Sequence, residues 1–164
     1  MGAREEPRYK KSESIIRILN ALTSVSIYDF DDRMRLQKLA YLAREMGLDC
    51  GLAFEWYVKG PYSPSLTRIL FAADELGVLR IENPKLSDSE EKMVQNLKRL
   101  LGADIEDSRA LELMASVSYF LPKGYLSKES IDETIRKLQV HKPHFKRDEI
   151  EAAINRIVQF RGQT

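Results

Sequence analysis

Residues 54–66 read FEWYVKGPYSPSL, and no other stretch narrows the chain's conformational options so far. Gly60, Pro61 and Pro64 fall within five positions. Proline fixes φ and removes a backbone donor, so neither proline suits the interior of a helix or of a central strand. Glycine admits close backbone approach and positive φ. The aromatic and β-branched run Phe54-Glu55-Trp56-Tyr57-Val58-Lys59 therefore reads as a short strand that stops at Gly60-Pro61. Ser63 before Pro64 is the pattern of an N-cap followed by proline at N1, so a helix restarts there. The segment lacks the Gly-rich run with Lys-Ser/Thr that makes a phosphate loop. Ser63, flanked by Tyr62 and Pro64, is not set in the G-x-S-x-G of a nucleophile elbow.

Around this segment the periodicity is helical. Residues 1–12, polar and mixed in charge, read as a flexible arm. A first helix is expected from Ser12 or Ser14, burying Ile15, Ile16, Ile18, Leu19 and Leu22. A second starts near Phe30 with Asp31 or Asp32 as N-cap, turns Leu36, Leu39, Ala40, Ala43 and Met46 inward, and ends at Gly47. The third spans about Ser65–Leu76, with Leu66, Ile69, Leu70, Ala73 and Leu76 inward and Gly77 at its end. Val78-Leu79-Arg80-Ile81 then reads as a second short strand. Ser87-Asp88-Ser89-Glu90 matches a capping box, followed by the apolar face Met93, Val94, Leu97, Leu100 and Leu101. Three further helices carry Leu111, Met114, Ala115 and Ser118, then Ile131, Ile135 and Leu138, then Ile150, Ala153, Ile154, Ile157 and Val158. The pattern gives a mainly α protein with a small two-stranded β element. A winged-helix-like part would cover residues 13–86 and a helical bundle residues 87–164, the two sharing one core.

Charge weighs against nucleic-acid binding, which stands as the alternative reading of a winged-helix-like chain. The chain holds 26 Lys and Arg against 25 Asp and Glu, and residues 1–86 alone balance at 13 against 12. Neither half carries the basic footprint of phosphate-backbone binding. The third helix, as a winged-helix recognition element, would offer only Arg68 against Asp74 and Glu75. Cys50 is the only cysteine, the N-terminus has no apolar signal region and no apolar run reaches bilayer length. These features suit a soluble cytoplasmic protein. His141-Lys142-Pro143-His144 is the only metal-like cluster. Its proline breaks the helix that would align two imidazoles, and zinc wants three or four ligands, so it reads as a helix C-terminus instead. No nucleophile–base–orienter set is present, so neither an enzyme nor a cofactor is expected.

Arg33, Arg35, Lys38 and Arg44 give the second helix a basic side that Asp31, Asp32 and Glu45 offset, as on a solvated face. Gln37 and Lys38 can instead meet the GPYSPSL segment or a partner. Trp56, Tyr57 and Tyr62 either form an aromatic interface or hold the joint together from inside.

Leu36-Gln37-Lys38-Leu39-Ala40-Tyr41-Leu42, followed by Phe54-Glu55-Trp56-Tyr57 and Gly60-Pro61-Tyr62-Ser63, resembles the pattern of the YwgA-like proteins and the broader Panacea domain, the SocA-like antitoxin family. Leu111-Glu112-Leu113-Met114-Ala115-Ser116 and the closing Lys142-Pro143-x-Phe145 before Asp148-Glu149-Ile150 resemble its later signatures. The resemblance spans about residues 14–160, although the turn reads Lys59-Gly60-Pro61 where the family has Tyr-Gly-Pro. It implies a protein-interaction module that neutralises a toxin by direct binding or delivers it to a protease. The partner-binding set would be Gln37, Lys38, Tyr41, Trp56, Tyr57, Tyr62, Ser63 and Arg68.

Overall fold

In a computed structural model of the chain, residues 6–163 are described, with side chains from Ser12 to Gly162. The chain runs α1 (Glu6–Leu22), α2 (Phe30–Glu45), β1 (Glu55–Tyr57), β2 (Gly60–Tyr62), α3 (Pro64–Glu75), α4 (Asp88–Leu101), a 3-10 turn (Gly102–Glu106), α5 (Ser108–Phe120), α6 (Lys128–His141) and α7 (Arg147–Gln163). It is mainly α with one two-stranded antiparallel sheet. Helix α1 begins at Glu6, so part of the expected arm is helical, and residues 1–5 lie outside the described residues.

Two helices form the centre. Residues 35–43 of α2 and 111–118 of α5 are buried without interruption, and the two helices pack against each other. Helices α6 and α7 cover α5, while α4 packs on α1. One apolar cluster draws residues from both sides of 83–87, from Ile15 on α1 to Ile157 on α7. Fully burying each of its Leu and Ile side chains is worth about 1.5–3 kcal/mol. Among the described residues no helix is long and apolar enough to cross a membrane.

The local signals that held are short in range. Ser63 caps α3 by accepting from the Leu66 N–H, with Pro64 at N1. Ser87 and Glu90 close a reciprocal capping box on α4. Gly47 adopts φ +108 where α2 ends. Other expectations fail for identifiable reasons. Asp29, rather than Asp31 or Asp32, caps α2 by accepting from the Asp32 N–H. Leu76 and Val158 are exposed: Leu76 is the C-cap residue of α3, and in α7 Ile157 and Phe160 face the core instead. Residues 78–81 form no strand. Asn20 on α1 donates to the Leu79 carbonyl and accepts from the Ile81 N–H, while Arg80 donates to the Val25 carbonyl. Side chains thus occupy the backbone groups that a neighbouring strand would need. The second strand is Gly60–Tyr62, so the hairpin precedes α3 instead of following it as a wing.

Glu90 joins α4 to α1. Its carboxylate accepts the Ser87 N–H of the capping box, the Ser14 hydroxyl at 2.7 Å and the Arg17 guanidinium at 3.0 Å. Burial alone would raise its pKa, but the bonds from Ser14, Ser87 and Arg17 outweigh this and hold it below the ordinary value. Glu90→Ala is therefore expected to lower unfolding free energy by about 1–3 kcal/mol, against about 0.5 or less for neighbouring Glu91→Ala. Urea denaturation of the two variants measures the difference.

Candidate functional site

The hairpin β1–β2 pairs Glu55 with Tyr62, Trp56 with Pro61 and Tyr57 with Gly60. Val58 and Lys59 at the tip have negative φ, so the reversal relies on Gly60 at φ +97. Gly60 also packs closely on α5 and α2: a Cβ there would lie 3.0 Å from the Ser116 hydroxyl and 3.6 Å from the Lys38 side chain. Only glycine meets both demands.

Side chains from elsewhere in the fold hold the inner edge of this hairpin. Gln37 clamps Ser63, donating to its carbonyl at 2.9 Å and accepting from its N–H at 2.8 Å. Lys38 donates to the Pro61 carbonyl at 2.8 Å. Lys142, just beyond α6, donates to the Val58 carbonyl at 2.5 Å and to the Glu112 carboxylate on α5 at 2.8 Å. Its ammonium also lies 5.2 Å from the centre of the Trp56 ring, within cation–π range. Lys38 and Lys142 are almost wholly buried, and Glu112 is buried with them. His144 Nε2 approaches the second Glu112 oxygen at 3.5 Å. Burial and the Lys142 charge lower the Lys38 pKa to about 8, with Glu112 opposing the shift and Lys59 adding to it. The Ser116 hydroxyl, also buried, has no hydrogen-bond partner.

The outer side of the hairpin is open. A pocket of about 350 Å³ lies between the hairpin and the start of α2, lined by Phe30, Arg33, Met34, Tyr57, Val58, Lys59, Gly60 and Tyr62. Phe30, Tyr57 and Val58 are exposed, Val58 at 89%. A second pocket of about 340 Å³ shares Phe30, Met34 and Lys59 with the first and continues over Lys38, Glu112 and His144 to Arg109.

The structure divides the residues expected to form one binding surface. Tyr57 and Tyr62 share a face of the hairpin, as register requires, with their rings edge-on at 5.2 Å. The Tyr62 hydroxyl pairs with that of Thr67 at 2.7 Å. Trp56 points to the other face and packs on Tyr119, Phe120 and His141, so the three rings do not form one surface. Gln37, Lys38 and Ser63 are buried beneath the hairpin, where Gln37 and Lys38 bond to the GPYSPSL segment, and Lys38 also lines the second pocket. Tyr41 is buried against Phe54 and Tyr119, and burial, reinforced by Glu45, pushes its phenol pKa well up. Arg68 is exposed on α3 and bonds to Ser65, away from the residues that line either pocket. The basic side of α2 is only partly a solvated face: Arg44 is exposed and Arg33 half-buried, but Lys38 is buried and so is Arg35, paired with Glu106 and Asp32.

Glu112, Lys142, Phe30 and Val58 are the site residues that sequence reasoning missed. A lone carboxylate in the apolar run Leu111–Val117 was a readable signal for Glu112, since such a group needs a buried cation. Comparison with protein-family models, with curated proteins and with solved structures finds no match.

Two measurements probe the inner edge. Gly60→Ala combines an unfavourable φ with the Ser116 contact and is expected to cost about 1–3 kcal/mol by urea denaturation. Lys38 binds fewer protons folded than unfolded above pH 8, because its folded pKa is depressed below 10.5. Wild-type stability relative to Lys38→Met should therefore rise between about pH 8 and 10.5, by at most ~1.4 kcal/mol per unit. A flat or falling difference would contradict a buried, protonated Lys38.

Proposed function

We propose that this protein is a non-enzymatic interaction module that grips a segment of a protein partner in the groove between its hairpin and the start of α2. One observation carries this reading: apolar side chains stand exposed around a concave surface on a hairpin fixed from behind. Phe30 and Tyr57 offer large aromatic area at low side-chain entropy cost, the property that suits rings to anchoring an interface, and Val58 adds exposed apolar surface beside them. Arg33 and Lys59 are the charged residues of that groove, and both are cationic. The fitting partner segment is therefore apolar with an adjacent carboxylate. The resemblance to Panacea-domain proteins supplies the concrete version, an antitoxin-like or proteolytic-adaptor role. The alternative, a winged-helix nucleic-acid binder, has less support, because Arg68 is the only cation of α3.

Selection of random 12-residue peptides against the full chain tests the proposal. Enriched peptides should carry an aromatic or aliphatic residue beside Asp or Glu. Their affinity should fall at least tenfold on Val58→Asp or Tyr57→Ala, with Tm unchanged, and stay constant on Arg68→Ala. No enrichment, or equal binding to Val58→Asp, would defeat it. So would salt-sensitive duplex DNA binding that Arg68→Ala abolishes.

A further inference from the structure

We infer that the pocket over Lys38, continuous with the apolar groove, is a receptor for one carboxylate, supplied by an acidic side chain of the bound protein segment. The inference rests on the interaction reading and names the chemistry of the partner.

The argument is a charge count in a desolvated place. Lys38 and Lys142 both bury their ammonium groups, and both lie within reach of one buried carboxylate, Glu112. Glu112 is committed to Lys142 at 2.8 Å, with His144 at its other oxygen. Lys38 has no carboxylate of its own; its hydrogen bond goes to a carbonyl. A buried charge without a counter-ion is costly, so such sites either neutralise or bind the missing ion. The depressed Lys38 pKa records that cost, yet at about 8 it leaves the amine mainly charged at neutral pH.

The other charged groups of the pocket do not pair with Lys38. Arg109 is engaged by Glu149 at 2.5 Å, and Asp31, which accepts from the Ser108 hydroxyl at 2.6 Å, makes no ion pair with Lys38. Lys59 adds a second cation at the rim, shared with the apolar groove. An ammonium has three donors, and Lys38 directs only one to Pro61. A monoanion matches the one counter-charge that Lys38 lacks, and Asp31 and Glu112 repel a dianion such as a phosphate about twice as strongly as a single carboxylate. Because Phe30, Met34 and Lys59 line both pockets, one short segment can place an apolar side chain in the groove and its neighbouring carboxylate over Lys38.

The test titrates the full chain with N-acetyl-Phe-Glu-amide, its neutral counterpart N-acetyl-Phe-Gln-amide, and inorganic phosphate, following the Lys38 Cε–Hε NMR signals. The Glu peptide should give a saturable Lys38 shift, bind at least tenfold more tightly than the Gln peptide, and move the Lys38 titration midpoint upward from about 8. Lys38→Met should abolish that preference for Glu, read on the His144 ring signals. Equal affinity for the two peptides overturns the carboxylate receptor while leaving the apolar groove standing. No saturable Lys38 shift with the Glu peptide, or a stronger one with phosphate, also overturns it. A Glu peptide that binds over Lys38 although Val58→Asp leaves partner peptides unaffected separates the receptor from the groove, upholding the first and removing the second.

Discussion

Everything in the candidate site depends on two buried ammonium groups that hold the carbonyls of Pro61 and Val58. A two-stranded hairpin with three residues per strand is not stable alone in water. Here Lys38 from α2 and Lys142 from beyond α6 hold it at two points, and Gln37 holds both backbone groups of Ser63 where α3 begins. Two distant parts of the chain, α2 and the residue that follows α6, thus converge on residues 58–63. The tip stays at the surface because its inner carbonyls are satisfied from below.

Buried charge is a poor source of stability, since desolvation offsets most of the attraction gained. Its contribution here is selectivity of position. Each ammonium donates to one hairpin carbonyl, and Gly60 packs closely on Ser116, which together fix the register. A hairpin so fixed loses little freedom when something binds its outer face, which is the usual advantage of preorganised surfaces. The same side chains therefore link the interior to the exposed Tyr57 and Val58.

What the sequence made legible was local. Caps at Ser63 and Ser87, the stop at Gly47 and the apolar stripes of α1 and α4 depend on neighbours within four residues. The fate of Gln37 and Lys38 does not. Their positions flank the Leu36–Leu39–Ala40 stripe, and a flank is exposed unless a third element covers it. The hairpin and α5 cover this one. Residues 78–81 had strand composition, but composition cannot announce that Asn20, some sixty residues earlier, takes their backbone bonds. The strand period of two would have separated Trp56 from Tyr57 and Tyr62 had the pairing partner of β1 been known. The expected partner was 78–81, and the true one is Gly60–Tyr62.

Net charge misleads for a related reason. A chain with 26 basic and 25 acidic residues looks indifferent to charged partners. Yet counting over the whole sequence weights a solvated surface pair and a buried one equally, while their energies differ several-fold with local dielectric. Most charges here are surface pairs that water and salt largely cancel. The two ammonium groups under the hairpin are screened far less, and they face one carboxylate between them. A near-neutral protein can therefore carry a strong local preference for an anion, directed to one pocket and insensitive to the balance of charge elsewhere. That combination favours recognition of a single acidic side chain within an apolar segment over general attraction to a polyanion, which needs many exposed cations spread along a surface.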